Sequence, residues 1–302
     1  MNRGEIVSGA FRDNSIPLTT MPSINQGFEA FYSCSNKVES WEFHCHDFYE
    51  FYIYLKGGQH FGLDNNLYLL EPNQLFIIPP FCMHGLSGVG EMIDYERAYV
   101  NISPKTMQLL GCGQMDLDQF FQSYATRGLN HFQLTQQQAG QIVSLIQALQ
   151  NQQSASRNLD RFQNYTLLQQ MLALVCGIVD QSQALTGTVV SNSIIQQVLA
   201  YINNHYTQPM KIADLAKQFN VSVSYLSHEF AKYTNRSIYD YVLYRRVMLA
   251  KEMIHSNDSL NSIAYQCGFN DYSNFLRMFN KVVGISPRQY RNELQSYLNT
   301  EE

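Results

Sequence analysis

Hydrophobic positions along this chain change their period twice, and each change marks a different architecture. Over residues 24–103 the apolar residues alternate or run in short blocks closed by turn residues. Tyr49, Phe51 and Ile53 alternate with Phe48, Glu50, Tyr52 and Tyr54, a strand apolar on both faces that stops at Gly57-Gly58. A second apolar run, 67–70, meets the turn Glu71-Pro72-Asn73, and a third, 75–78, stops at Pro79-Pro80. Short strands at this spacing predict a small antiparallel β-barrel or sandwich. Over 104–180 the period becomes helical. Leu134, Ala139, Ile142, Val143, Leu145, Ile146 and Leu149 form one stripe behind Thr135; Phe162, Tyr165, Leu168, Met171, Leu172, Val175 and Val179 form another. Such stripes pack on the strands or pair across a two-fold axis. The Ser-, Thr- and Gly-rich stretch 181–193 reads as a linker.

The last hundred residues carry one motif twice. One copy spans 212–233 and the other 260–281, with Ala216 and Ala264 offset by 48 positions and Phe230 and Phe279 by 49. A short helix, a tight turn and a second helix at this spacing predict a helix-turn-helix, whose second helix lies in the major groove of DNA. In the first copy Ser222 is a candidate N-cap and Leu226, Phe230 and Tyr233 a buried stripe. Ser224, Ser227, His228 and Lys232 then face outward, able to bond base edges and phosphates. In the second, Gly268 supplies the turn, Asn270 or Asp271 the cap, and Phe275 and Phe279 the core. Tyr272, Ser273, Asn274 and Arg277 face outward, and the Arg277 fork matches guanine O6 and N7. The helix expected between the copies, 237–254, spans roughly 27 Å. That length suits two reading helices about one DNA turn (~34 Å) apart. A bundle that binds protein or nothing is the competing reading, and the matching caps, turns and faces of two copies weigh against it.

Residues 194–291 resemble the DNA-binding domain of the AraC/XylS family of bacterial transcription regulators. The resemblance rests on Tyr201-Ile202, the first motif, Tyr241 through Arg246 to Ala250-Lys251, and Ile263-Ala264-Tyr265-Gln266-Cys267-Gly268-Phe269. It continues through Ser273-Asn274-Phe275-Leu276-Arg277-Met278-Phe279 and closes on Gly284-Ile285-Ser286-Pro287-Arg288-Gln289-Tyr290-Arg291. It implies base readers at Ser224, Ser227, His228, Tyr272, Ser273 and Arg277, a structural role for Arg246, and a dimer contact made by one of the helices in 104–180. Asn235 and Asn220 depart from the glycines frequent in the family, and both residues tolerate the left-handed region.

Composition adds domain count and partners. A chain of 302 residues can build two cores. We expect an α+β protein with three parts. Residues 1–180 would form an antiparallel β-barrel domain for effector sensing and dimerisation, 181–193 the linker, and 194–302 an all-α domain with both helix-turn-helix motifs. The net charge of −5 is uneven: residues 1–193 carry 9 basic against 16 acidic side chains, and residues 194–302 carry 11 against 9. The basic excess thus lies in the half expected to meet phosphates. Six cysteines without CxxC spacing read as free thiols, and the chain shows neither a signal-peptide pattern nor an apolar run of eighteen. A cytoplasmic protein without a membrane partner is expected. Residues 1–21 read as a loose tail first and as a latch over ligand second.

The candidate chemistry of the front half centres on His44-x-His46-x-x-x-Glu50, with His84 further on. This pattern looks like the cupin motif. It departs where the leading Gly is Val38, and its second half departs at Asn73, Phe81 and Gly88. Three imidazoles and one carboxylate converging in a barrel can ligate a divalent transition metal. Sensor cupins joined to AraC-type domains resemble this pattern without using a metal. The first expectation is therefore no cofactor, with His44, His46, Glu50 and His84 as the ligand set if one is bound. A barrel mouth of aromatics and a few polar groups suits a sugar. His44, His46, Glu50, Tyr52, His84, Arg97 and Tyr99 are the candidate effector residues. Tyr52 and Tyr99 also fit plain packing, and Arg97, between Asp94 and Glu96 and their neighbours, fits a surface ion pair.

The function expected is a sequence-specific DNA-binding transcription regulator, an activator rather than an enzyme, controlled by a small carbohydrate-like effector. It would act as a homodimer on double-stranded promoter DNA, with RNA polymerase as a further partner. The alternatives are a cupin metalloenzyme with an appended DNA-binding tail, and a DNA binder that needs no effector.

Overall fold

The computed structural model describes residues 27–38, 43–58, 60–64, 66–87, 92–152, 158–181, 193–234, 236–254 and 256–299. The expected tail, Val38's side chain, Asn235 and all of the expected linker but its two ends lie outside what is described. The described residues divide into two compact units, one built on 22–200 and 221–237, the other on 201–220 and 238–302.

The first unit holds eight strands: β1 (Phe28–Val38), β2 (Tyr49–Lys56), β3 (His60–Leu63), β4 (Asn66–Leu69), β5 (Gln74–Ile78), β6 (His84–Ser87), β7 (Met92–Ile102) and β8 (His131–Gln133). They form an antiparallel five-stranded sheet in the order β1-β7-β2-β5-β8 and a three-stranded sheet in the order β4-β3-β6. The doubly apolar reading of β2 is explained by its two neighbours. Tyr49, Phe51 and Ile53 enter a core shared with helices, whereas Tyr52 and Tyr54 enter a core shared by the two sheets. Successive residues of a strand point to opposite faces, so one strand serves both cores. Asn73 turns the chain into β5 with φ 64, a left-handed value that asparagine tolerates.

Helices α1 (Pro104–Leu110) and α2 (Leu117–Ala125) follow β7, capped by the Ser103 and Asp116 side chains. Helices α3 (Gln136–Gln152) and α4 (Asn158–Gln181) then cover the larger sheet. Thr135 accepts from the Gln138 amide at 3.2 Å and Gln138 reaches back to the Thr135 amide at 2.9 Å, a reciprocal cap. The α4 stripe is buried from Leu168 onward, but Phe162 is 69% exposed, so the first turn leaves the core.

Two helices of the later sequence begin or lie in this unit. Helix α5 (Ser193–His205) starts in it, and α7 (Val223–Thr234) lies wholly within it and packs beside β6. The residue ahead of His44 makes the link. The Phe43 amide donates to the Thr234 carbonyl at 2.9 Å, and the Phe43 carbonyl accepts from Arg236 Nε at 2.5 Å. The Phe43 ring is 6.1 Å from the Tyr233 ring.

The second unit is helical: α6 (Ile212–Gln218), α8 (Ile238–Met253), α9 (Leu260–Gln266), α10 (Tyr272–Val283) and α11 (Pro287–Asn299). Ile263, Ala264, Phe275 and Phe279 are buried as the periodicity predicts. Leu215 and Ala216 are buried too, while Ile212 and Phe219 are half-buried. Gly268 turns the chain between α9 and α10 at φ 89, and a Cβ there would land on the Thr207 carbonyl. Arg246 donates to the carbonyls of Tyr206 at 2.6 Å and Gln208 at 2.9 Å, which ties α8 to the end of α5. Among the described residues no helix is long and apolar enough to cross a membrane.

Candidate effector site and nucleic-acid interface

Alternation along β2 and β7 places the front-half candidates on one inner face. Glu50, Tyr52 and Tyr54 project from β2, and Tyr95, Arg97 and Tyr99 from β7, with Tyr52 directly opposite Tyr99 and Tyr54 opposite Arg97. All six are buried. Arg97 lies over the Tyr95 and Tyr99 rings at 5.5 and 5.6 Å, so it is an interior cation and not a surface pair. Its acidic neighbours point the other way: Asp94 is exposed and Glu96 meets Lys56 at 3.6 Å. The Tyr52 and Tyr95 hydroxyls hydrogen-bond each other. Burial pushes the Tyr95 and Tyr99 hydroxyls above the usual phenol range, which keeps both neutral.

The three histidines meet at one end of this face. Their ligand-capable atoms lie within 4.8 Å of one another, and the His44 backbone pairs with that of His84. Both buried rings hold a backbone carbonyl with Nδ1 and turn Nε2 toward Glu50. His46 Nδ1 is 3.0 Å from the Phe48 carbonyl and its Nε2 is 2.9 Å from Glu50 Oε2. His84 Nδ1 is 3.0 Å from the Cys82 carbonyl and its Nε2 is 3.3 Å from the same Oε2.

Burial alone would raise the Glu50 carboxyl, but bonds from both imidazoles hold it below the ordinary carboxyl range. Burial pulls His46 down, opposed by its bond to Glu50. A neutral imidazole has one N–H, yet both nitrogens of His46 face acceptors. Whichever nitrogen carries the proton, the other presents a lone pair to an oxygen acceptor, and a cation beside that lone pair would remove the conflict. His44, His46, His84 and Glu50 therefore fit a divalent transition metal, whose charge would polarise an oxygen ligand there.

The same face holds residues outside the expected set. Tyr54, Phe61, Phe76, Tyr95 and His131 line it, with His131 parallel to Phe76 at 4.3 Å. Tyr54 and Tyr95 could have been found from strand alternation. His131, in a three-residue strand between helices, gives no periodic signal.

The outward faces of the later helices stand as follows. On α7, Leu226, Phe230 and Tyr233 are buried, Ser224, His228 and Lys232 exposed, and Ser227 half-buried. Ser222 caps it by accepting from the Tyr225 amide at 3.1 Å, and Asn220 ahead of it has φ 55. On α10 the Asp271 carboxylate accepts from the Asn274 amide at 2.6 Å. Ser273 and Arg277 are exposed, Tyr272 and Asn274 half-buried, and Arg277 Nη2 donates to Asn274 Oδ1 at 2.9 Å. That bond presents the guanidinium in one orientation, as bidentate base reading requires.

A family described as the AraC-like ligand binding domain matches residues 25–172, and a helix-turn-helix domain family matches residues 215–293. The chain belongs to the AraC family of transcription regulators. This AraC-family chain is 32% identical over 117 residues to an uncharacterized HTH-type transcriptional regulator, YdiP, of Escherichia coli, covering 38% of this chain and 39% of that one. It is 26% identical over 190 residues to the HTH-type transcriptional activator RhaS of Salmonella arizonae, covering 63% and 66%. The C-terminal domain of AraT, a response regulator from Geobacillus stearothermophilus, is 27% identical and covers 34% of this chain and 87% of its own, with a TM-score of 0.33. The chain thus spans about two-fifths to two-thirds of the length of these curated relatives.

Proposed function

We propose that this protein is a cytoplasmic, sequence-specific DNA-binding regulator that activates transcription when a small neutral carbohydrate occupies the inner face of its sheets. Residues 1–180 would sense and dimerise, 181–193 link, and 194–302 read DNA. Ser224, Ser227, His228 and Lys232 of α7, with Tyr272, Ser273, Asn274 and Arg277 of α10, are the DNA-contacting set. Support comes from the division of labour on each helix: apolar residues go inward, while hydroxyl, imidazole, amide and guanidinium groups stay available. One further observation carries the effector half. Five neighbouring buried side chains on β2 and β7, all aromatic or cationic, share a face with the Glu50 carboxylate and two buried imidazoles. Rings that stack on C–H faces beside groups that bond hydroxyls suit a sugar.

The relative named as an activator, RhaS, is consistent with positive control, and a homodimer working with RNA polymerase fits a modest basic excess that needs avidity. Two measurements on the full chain test the reading. Selection from a randomised duplex library should return one recurring sequence with salt-sensitive affinity. A thermal-shift screen of mono- and oligosaccharides should raise the melting temperature, because a ligand that binds only the native state stabilises it. A library that yields no enriched sequence rejects the DNA half, and a flat screen rejects the carbohydrate half.

The paired Nε2 atoms facing Glu50 favour a second reading of the same site, a metal centre serving a metalloenzyme or anchoring the effector. Cobalt(II) added to the full chain distinguishes them. Visible absorption at one equivalent, lost in Glu50→Gln and His84→Ala, would establish the metal, and a silent spectrum would leave the imidazoles as hydrogen-bonding wall.

A further inference from the structure

On the edge strand β8, two strands from the β2 that carries Glu50, stands a buried imidazole that the fold does not explain. His131 is 2% exposed, and among the described residues neither of its ring nitrogens has a hydrogen-bond partner. It sits on β8 directly across from Phe76. The two rings are parallel within 8° at 4.3 Å, and the Tyr68 ring closes on the other contact at 4.6 Å. The next residue, Phe132, belongs to the helix-covered core, so alternation along β8 sends His131 inward. From it the rings run on to Phe61, 4.6 Å from Phe76, and then to His84, 6.2 Å from Phe61.

An imidazole in these surroundings leaves one donor and one acceptor without a protein partner among the described residues. Such groups cost stability when buried, and a phenylalanine would fill the same box without that cost. Unpaired buried polar atoms in a folded protein call for a reason outside the fold.

We propose that His131 is an effector-contacting residue, taking a hydroxyl of an uncharged, polyhydroxylated ligand whose C–H face lies against Phe76 and Tyr68. This assignment rests on the carbohydrate reading above and extends its site to the edge strand β8. Desolvation by burial moves the imidazole down to about 4, so it stays neutral at cellular pH and suits a neutral hydroxyl better than a carboxylate.

The test melts the full chain, His131→Phe and His131→Asn, each alone and with D-glucose, D-galactose, D-fructose, D-xylose, maltose and cellobiose. His131→Phe should melt higher than the wild type by roughly 2–4 °C without sugar. It should also lose most of the shift that the best sugar gives the wild type. His131→Asn, which restores a donor and an acceptor, should recover part of that shift. An unchanged sugar shift in His131→Phe overturns the assignment and leaves the carbohydrate reading standing, as does a His131→Phe that melts lower than the wild type alone. A wild type that none of these sugars shifts removes the carbohydrate reading and this assignment together.

Discussion

Arg277 and His131 are read by opposite arguments, one from exposure and one from burial. Arg277 is exposed and aligned by Asn274. Replacing it with alanine should cost about 1–3 kcal/mol in DNA affinity and relax preference at one base position, measured by selection on randomised duplex. Equal weakening on all sequences would make it a phosphate contact instead. His131 predicts an acid response. Its folded pKa of about 4 lies below the unfolded value of about 6.5, so the unfolded chain takes up the proton first. Its contribution is complete above about pH 6.5 and fades as pH falls toward 4, by roughly 3 kcal/mol at most. Urea titrations across that range should show a shallower pH slope in His131→Phe. Neither residue was equally legible from sequence. Arg277 stood on a helix face whose other members named themselves, while His131 stood in a strand too short to show a period. Arg97 was misleading for a physical reason: acidic neighbours in sequence project to the other side of β7.

At the scale of elements, caps and turns were the most legible features. Thr135, Ser222 and Asp271 each satisfy the first free amides of a helix, which a short oxygen side chain does whatever packs around it. Asp271→Ala should therefore lower stability by about 1 kcal/mol, read as a small drop in melting temperature with the fold retained. Gly268→Ala should cost more. It combines a left-handed φ with a Cβ driven onto the Thr207 backbone, and a loss on the order of 2–4 kcal/mol is expected in denaturant melts. A loss below 1 kcal/mol would mean that the α9–α10 turn yields easily. Exposure of Phe162 was not legible, because a stripe predicts which side faces inward but not where the core ends along a long helix.

For the whole molecule, charge is the quantity that acts at a distance. Residues 194–302 hold a small basic excess while residues 1–193 are acidic, so DNA affinity should depend strongly on salt. Lys232→Ala should reduce the slope of log affinity against log salt by about one unit while leaving sequence preference intact, measured by fluorescence anisotropy at several ionic strengths. An unaltered slope would take Lys232 off the phosphate backbone. Period, composition and charge change together near 181–193, which is why the sequence reads as two parts, whereas the compact units divide near 200 and draw 221–237 into the first. The company α7 keeps was not legible, since its partner Phe43 is far away in sequence and bonds through backbone atoms that carry no residue signature.

That backbone bonding has a mechanical consequence. Phe43 spends both of its main-chain polar groups on the tail end of α7, and the very next residue spends both of its own on His84. The Phe43 carbonyl and the His44 amide belong to one planar peptide, so the bonds to Arg236 and to His84 move together. If α7 meets DNA as proposed, whatever reseats the backbone at 44 would tug on the last turn of that helix through a single covalent step, a tether short enough to carry a chemical event as a pull.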